Sequence, residues 1–331
     1  MPNLPKPRLR RSARSRTDVL AEPSAEPNVE VVEHGGLRWI NIERPGPVDQ
    51  AWLEEHFEFH PLDYEDVRSR NQRPKIDVYD DYLFIVLHFP VFDKQVGRLN
   101  TGELDVFVGA DFLITMPNVP LQPVEYLFER CRSNEQVRDE LFSKGPGYLL
   151  YKVVDSSFDY CFPMLRKIGN KLDRIETEIF EEERSEDIVR DISNAKQEII
   201  NFRKIIRPQR PVLRDLERTK QRYIAEDMEV YFDDIIDASE RIWDMLENYK
   251  EVVTALEDTN ESLISHRLNN VLRVLTAFSV VLLPLTLIAS VFGMNVAVPG
   301  EGSIHAFWII VGVMVGVLGS TLGYFRYRGW L

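Results

Sequence analysis

Two long apolar stretches lie at the C-terminal end of the chain. The first, Val271–Phe292, would be about 33 Å long as a helix, at about 1.5 Å per residue. The second, Ala306–Tyr324, carries no charged side chain. Because a hydrocarbon core is about 30 Å thick, each stretch is long enough to cross it. The pattern therefore predicts two transmembrane helices, and it disfavours a buried hairpin of a soluble protein, which seldom needs two such stretches at one end.

A polar stripe runs along the first stretch. Alternating steps of three and four residues meet polar, uncharged side chains and two leucines among mostly aliphatic neighbours. These positions are Asn269, Leu272, Thr276, Ser279, Leu283, Thr286 and Ser290. Such spacing keeps them on one face of a supercoiled helix. Hydroxyl groups can also bond back to their own helix or hold neighbouring helices together, but a stripe of full length favours a face turned to water.

One chain with two spans has too few helices to enclose a pore. Several copies must surround an axis, which predicts a closed cyclic homo-oligomer. The leucines of the stripe would then form apolar rings that can gate by dewetting. Pro284 interrupts the hydrogen-bond ladder of the first span and predicts a bend. On the second span, Gly312, Gly316, Gly319 and Gly323 share roughly one face and predict close helix packing.

The first part of the chain alternates between strand and helix patterns. Apolar runs bounded by turn residues predict strands at Gly36–Ile42, Tyr82–Phe92, Leu104–Val108 and Phe112–Met116. After Pro146 the pattern is helical. No proline or glycine occurs from Val212 to Leu283. We therefore expect one helix from about Val230 to Phe292, about 95 Å long, which continues the pore helix into the cytoplasm.

The predicted fold is an α+β membrane protein with an N-terminal α/β cytoplasmic domain, a long helical stalk and two C-terminal transmembrane helices. Its segments are a disordered basic tail (1–28), the α/β domain (29–145), a helical stalk region (146–268), the pore helix (269–292), an external loop (293–305), the second transmembrane helix (306–325) and a basic cytoplasmic tail (326–331).

Charge separates the two parts of the chain. The net charge is −13, yet from Ser262 onward there is a single acidic residue, Glu301. Such an acidic soluble part attracts cations and disfavours nucleic acid. Basic residues flank the spans at Arg267, Arg273, Arg326 and Arg328, and the loop between the spans has none. The positive-inside rule then places both termini in the cytoplasm, which predicts a multi-pass protein of the inner or plasma membrane.

Other chemistry leaves little trace in the sequence. Cys131 and Cys161 are too few for a disulfide framework and predict buried thiols in a reducing compartment. We find no GxxxxGK[ST] loop and no nucleophile–base arrangement, so an enzyme is not predicted. Transport would be driven by the gradient of the ion and by the membrane potential.

At the end of the first span stands Gly293-Met294-Asn295, and here the chain resembles the CorA family of magnesium transporters. The preceding Leu275-Thr276-Ala277 and the run from Pro284 to Ala289 match that family as well. Farther upstream, the family's N-terminal domain is similar to His60-Pro61-Leu62, Glu65-Asp66-Val67 and the run from Asn71 to Ile76. The resemblance covers about residues 35–331.

The resemblance implies a homopentameric funnel whose first spans line the pore. It implies a ring of Asn295 at the outer mouth, and it adds Leu275 to the pore-facing positions. The chain departs from the family at Phe292, where tyrosine is common, and at Ser290, where glycine is frequent. Its external loop carries only Glu301 for cation capture. Mg²⁺ gives up its waters reluctantly, so we expect an amide ring to recognise the hydrated ion through its bound water.

The resemblance also implies a regulatory cation site between subunits. Its acidic ligands fall on Asp93 and Asp234, with Asp237 as a helper. Bound Mg²⁺ would cancel the repulsion between carboxylates and hold the subunits together. A fall in cytoplasmic Mg²⁺ would then loosen the ring and open the pore.

The sequence thus predicts a passive Mg²⁺ influx channel in which Mg²⁺ is both the transported and the regulatory ion. Co²⁺ or Ni²⁺ are further candidate cargoes. Two alternatives stay open. One is a Zn²⁺ transporter of the same superfamily, and the other is a two-span membrane-anchored sensor or scaffold, which the short external loop and the polar stripe disfavour.

Overall fold

A computed structural model describes residues 26–69, 72–93, 98–181, 185–219, 228–294 and 303–328. The chain forms two compact units, residues 1–254 and residues 255–331. The basic tail up to residue 25, Asn295, Glu301 and the last three residues lie outside the described residues.

A six-stranded mixed sheet forms the centre of the first unit. Its strands are β1 (Glu30–His34), β2 (Leu37–Asn41), β3 (Lys75–Val78), β4 (Tyr82–Asp93), β5 (Arg98–Gly109) and β6 (Phe112–Pro117). They lie in the order β1-β2-β6-β5-β4-β3. The β2–β6 pair is parallel and the other pairs are antiparallel. The four predicted strands are confirmed as β2, β4, β5 and β6, whereas the two edge strands, β1 and β3, were not predicted.

Each face of the sheet is covered by helices. Helices α1 (Pro47–His56) and α2 (Pro61–Arg68) cover one face, where Leu53 and Val67 join a core that includes Phe84 and Phe107. On the other face, the ring of Trp39 packs edge-on against Phe128, with 5.1 Å between the ring centroids. Burying both faces removes large apolar areas from water, and this burial is the main stabilising term of such a fold.

The helices of the second face and the helical region follow β6 in chain order. They are α3 (Gln122–Ser133), α4 (Glu135–Phe142), α5 (Pro146–Asp159), α6 (Cys161–Glu178), α7 (Ser185–Ile206) and α8 (Gln209–Arg218). Helical structure thus begins before Pro146. Gly145 has a φ of 85°, a conformation that favours glycine, and Pro146 occupies the first turn of α5, where its missing N–H costs nothing. Cys131 and Cys161 are buried free thiols, as the sequence predicts.

Helix α9 (Glu229–Phe292) has 64 residues and confirms the long helix predicted from about Val230. Its first part belongs to the first unit and packs closely there. A Cβ atom on Gly169 of α6 would lie 2.7 Å from the Tyr249 hydroxyl oxygen of α9, so a larger residue would require the Tyr249 ring to shift. An ion pair of 2.6 Å joins Arg203 of α7 to Glu247.

The second unit contains the rest of α9 and helix α10 (Ile304–Tyr327). Both helices are long and apolar enough to cross a membrane, with mean hydropathies of 2.3 and 2.0 in their most apolar windows. Most of their apolar side chains are exposed within the chain. A helix in the core of a soluble protein would be buried, so the exposure favours lipid or other copies as neighbours.

Candidate ion pathway and regulatory site

The two membrane-spanning helices touch along one narrow face. Ala277 and Val281 of α9 are buried together with Phe325 of α10, and Leu318 packs against this cluster. Pro284 lies inside α9, and the helix continues beyond it to Phe292. These contacts define the side of α9 that faces α10.

The polar stripe lies on the other side of α9. Every one of its predicted positions is exposed, together with Leu275: Asn269, Leu272, Leu275, Thr276, Ser279, Leu283, Thr286 and Ser290. At about 100° per residue, the centre of the stripe points roughly opposite to Ala277 and Val281. The stripe is therefore not packed against the second span of its own chain.

Three hydroxyl groups of the stripe donate hydrogen bonds to the backbone of their own helix. Thr276 Oγ1 donates to the Leu272 carbonyl oxygen at 2.7 Å, and Ser279 Oγ donates to Leu275 at 2.9 Å. Thr286 Oγ1 donates to Leu282 at 2.8 Å. This is the back-bonding that the sequence left open as an alternative. Because each hydroxyl proton is used, the oxygen atoms present lone pairs, and thus acceptors, on the exposed face.

Gly293 directly follows α9 and lies close to its last turn. Its N–H donates to the Ala289 carbonyl oxygen at 2.9 Å, and a Cβ atom on Gly293 would lie 2.9 Å from that same oxygen. Backbone cannot move aside as a flexible side chain can, so a side chain here would disturb the last turn. Met294, which follows, is exposed.

The glycine face of α10 is open. Nothing lies within 4 Å of a Cβ atom built on Gly312, Gly316, Gly319 or Gly323. The half-buried residues of α10, such as Ile310, Met314 and Val317, lie on the opposite side of this helix, with Phe325. The predicted close packing therefore does not involve α9 of the same chain.

The predicted regulatory acids lie on two separate elements. Asp93 is the last residue of β4 and is half-buried, and Asn100 Nδ2 donates to its Oδ2 at 3.4 Å. Asp234 and Asp237 are exposed near the start of α9. Tyr151 of α5 donates from its hydroxyl to Asp234 Oδ2 at 3.3 Å.

Two further acids near Asp234 were not predicted. Burial, and then the charges of Asp155 and Asp234, raise the pKa of Asp159, which lies at the end of α5. Asp155 lies one helical turn before Asp159 and forms an ion pair of 3.1 Å with Lys152. Crowded carboxylates of this kind gain from a nearby divalent cation, since it cancels their mutual repulsion. The i, i+4 spacing of Asp155 and Asp159 was the available signal, but only the fold brings them to α9.

A second acidic cluster already includes the positively charged side chain of Lys75. Ligand atoms of Asp63, Asp66 and Asp77 lie within 4.8 Å of one another. Lys75 Nζ lies 2.6 Å from Asp66 Oδ2 and also pairs with Asp77. The hydroxyls of Tyr79 and Tyr82 donate to Asp63 at 3.0 Å and 2.7 Å. Since Lys75 and the hydroxyls of Tyr79 and Tyr82 already contact the three carboxylates, we interpret this cluster as structural.

Comparisons with known proteins agree with this architecture. The profile of the family described as "CorA-like Mg2+ transporter protein" matches residues 34–327. YfjQ of Bacillus subtilis, a putative metal ion transporter, is 30% identical over 308 residues, which are 91% of this chain and 93% of that protein. The cobalt/magnesium transport protein CorA of Thermotoga maritima is 30% identical over 295 residues, which are 88% of this chain and 83% of that protein.

A solved structure agrees in fold along nearly the whole chain. The complete CorA magnesium transporter from Methanocaldococcus jannaschii matches with a TM-score of 0.78 at 20% identity, and the match covers 91% of this chain and 93% of that chain. This agreement confirms the predicted fold of an N-terminal α/β domain, a long helix and two apolar C-terminal helices.

The chain belongs to the CorA-like Mg²⁺ transporter family. It is a CorA-type transporter of divalent cations, and its two apolar C-terminal helices are those of a membrane transporter.

Proposed function

We propose that the chain forms a passive homopentameric channel for Mg²⁺ influx in the plasma or inner membrane, with both termini in the cytoplasm. The observation that carries the proposal is the exposed polar face of α9, which lies opposite to the contact with α10. In lipid such a face would be costly, so it must meet protein or water. A closed ring of copies, each turning this face inward, satisfies that requirement.

The chemistry of the stripe suits an ion that keeps its water shell. Water bound to Mg²⁺ turns its oxygen to the ion and its hydrogens outward, and those hydrogens need acceptors. The back-bonded hydroxyls of Thr276, Ser279 and Thr286 supply such acceptors. Neither span contains a carboxylate that would bind the ion tightly and slow its release. Leu272 and Leu283 would form apolar rings between the polar ones.

Selectivity would reside at the outer mouth. The amide oxygens of an Asn295 ring would accept hydrogen bonds from the hydrated ion, and Glu301 would raise the local cation concentration. Gly293 supports this assignment because its backbone approach to Ala289 leaves no room for a side chain. Entry needs no chemical energy source. Moving two charges through 100 mV contributes about 4.6 kcal/mol toward a negative interior.

Internal Mg²⁺ would close the channel through the acidic residues of the first unit. Asp93 of one subunit and Asp234 of the next would share an ion, with Asp237 as a helper. The crowding of Asp155, Asp159 and Asp234 supports this role, because the pKa of Asp159 is already raised by its burial and by these neighbours. Loss of the ion restores the repulsion between the carboxylates, loosens the ring and opens the pore.

The decisive experiment measures Mg²⁺ flux into proteoliposomes that contain a Mg²⁺-sensitive dye. We expect Asn295→Ala to reduce uptake to the level of protein-free liposomes, since the selective acceptor ring is lost. Asn270→Ala is the matched control, because Asn270 is an exposed amide on α9 outside the stripe. Unchanged Mg²⁺ uptake in Asn295→Ala would contradict the proposal.

Competing ions test the choice of cargo. Flux of Mg²⁺, Co²⁺, Ni²⁺ and Zn²⁺ should be compared with and without trapped internal Mg²⁺. We expect Mg²⁺ entry that internal Mg²⁺ suppresses. Zn²⁺ entry that is faster and insensitive to internal Mg²⁺ would instead favour the zinc transporter.

A further inference from the structure

A polar cavity of about 450 Å³ lies in the first unit, away from the acids assigned to ion regulation. It is bounded by β4, β5 and the end of α7. Its polar lining includes Arg73, His88, Thr101, Glu103, Asn118 and Lys204. This volume falls in the range of sites that enclose small metabolites.

His88 lies in the wall of this cavity. Its backbone N–H donates to Gln209 Oε1 at 2.9 Å, which fixes the residue in β4. Its side chain is only 14% exposed, and its buried Nε2 atom faces Glu103.

Two cations converge on the same cavity from distant parts of the chain. Arg73 precedes β3, and Lys204 lies in the last turn of α7. Both line the cavity, and both are exposed. Neither forms an ion pair with any carboxylate in the described part of the chain. Two basic side chains that line the same cavity without an ion pair offer complementary charge to an anionic ligand.

Glu103 is the one acid of the lining, and the protein itself engages it. The Gln72 N–H donates to its Oε2 at 2.9 Å, and His88 Nε2 lies 3.5 Å from the same oxygen. The backbone of Glu103 is held by Asn118 through bonds of 2.9 Å and 3.0 Å. Its carboxylate is 5% exposed. The Glu103 carboxylate is thus engaged by Gln72 and His88 and is not open to solvent.

We propose that this cavity binds a small phosphate-bearing metabolite of nucleotide size. A guanidinium fork and an ammonium group are the side chains that best match phosphate oxygens. A free phosphate ion would leave most of the cavity empty, whereas an ester could fill it and reach Thr101 and Asn118. The site also gives a role to Gln72, Arg73 and Pro74, a part of the motif run that the ion pathway does not use.

Calorimetry on the full-length protein in nanodiscs tests the proposal, with adenosine monophosphate, inorganic phosphate and adenosine as probes. We expect adenosine monophosphate to bind, inorganic phosphate to bind more weakly and adenosine to bind at least about tenfold more weakly. Arg73→Gln with Lys204→Gln should weaken binding of the monophosphate by at least about tenfold, since two charge-assisted hydrogen bonds are lost.

Arg166→Gln with Arg190→Gln is the matched control, since it removes the same charge from exposed positions on α6 and α7. It should leave the affinity unchanged. Equal midpoints of thermal unfolding without ligand would show that both double variants fold. The proposal is overturned if neither phosphate probe binds, if adenosine binds as tightly as its monophosphate, or if the Arg73/Lys204 variant keeps wild-type affinity. It is also overturned if only Zn²⁺ binds and Glu103→Gln removes that binding, which would indicate a metal site at His88.

Discussion

The first unit (residues 1–254) and the second unit (residues 255–331) offer a cation two different kinds of oxygen atom. In the first, Asp155, Asp159 and Asp234 crowd full negative charges at the junction of α5 and α9. In the second, the exposed face of α9 offers hydroxyl lone pairs and no carboxylate. Carboxylates hold a divalent cation, whereas hydroxyls only guide its water shell. Under the proposed function, the chain would hold an ion at the first set of oxygen atoms and pass it along the second.

The largest effect is expected when a carboxylate is introduced into the stripe. Thr286→Asp would place a ring of acids where the proposed lumen has acceptors without charge. We expect the half-saturating Mg²⁺ concentration to fall and the maximal flux to drop by about tenfold or more, because a site that is deeper by about 1.4 kcal/mol slows release tenfold. Liposome flux over a range of external Mg²⁺ measures both quantities.

Thr286→Ser serves as the control for that change, since it keeps the hydroxyl and should keep wild-type flux. A Thr286→Asp channel with undiminished maximal flux would mean that release from this face does not limit transport.

The next largest effect is expected when the charges of two acids of the first unit, Asp93 and Asp234, are reversed. Asp93→Lys with Asp234→Lys should remove the ion that holds the subunits and replace it with fixed cations. We expect inhibition to need at least about tenfold more internal Mg²⁺, a loss of about 1.4 kcal/mol of coupling, with little change in ion preference. Flux at stepped internal Mg²⁺ measures this shift.

Asp80→Lys with Asp215→Lys changes the net charge equally at exposed positions and should leave the inhibition curve in place. If the Asp93/Asp234 variant still shuts at the wild-type internal concentration, these acids do not regulate the channel.

The smallest effect concerns Asp105, a carboxylate of the first unit that is almost wholly buried. Burial, and then the charges of Glu103 and Asp66, raise the pKa of Asp105 well above its usual value, and its Oδ1 has no hydrogen-bond partner. The contribution of Asp105 to the free energy of unfolding is therefore fully present below its pKa of about 3.9 in the unfolded state. It is lost as the pH rises through its pKa in the folded state. We expect Asp105→Asn to raise the unfolding temperature at neutral pH by a few degrees, about what 1 kcal/mol gives.

The advantage of Asp105→Asn should shrink as the pH falls toward about 4, where Asp105 is protonated in the folded state and about half protonated in the unfolded state. Thermal unfolding of the full-length protein between pH 4 and 8 follows it. Asp80→Asn, at an exposed position, should change the curve little. A constant gap at all pH values would exclude titration of Asp105 as its cause.

Regular patterns made much of the fold predictable. The runs Tyr82–Phe92 and Phe112–Met116 are apolar enough to indicate buried strands, and the absence of proline and glycine before Leu283 indicated α9. The edge strands escaped because they are short and charged. β1 contains Glu30 and Glu33, and such residues resemble a loop when read without the neighbouring strand.

The two sites differ in how far the sequence could reveal them. The stripe repeats along one helix, so its spacing alone places Thr276, Ser279 and Thr286 on one face. The proposed regulatory acids come from β4, α5 and α9, and no local spacing links Asp159 to Asp234. The proximity of Asp159 to Asp234 depends on how α5 packs against α9, which only the folded structure provides.

Lys75 and Asp77 form an ion pair on β3, which is one edge strand of the sheet. At the other edge, Glu30 of β1 pairs with Arg132 at 2.9 Å. An uncharged edge would invite strand addition whenever identical sheets are crowded together. The charged side chains at both edges therefore disfavour the addition of a strand from another copy of the chain.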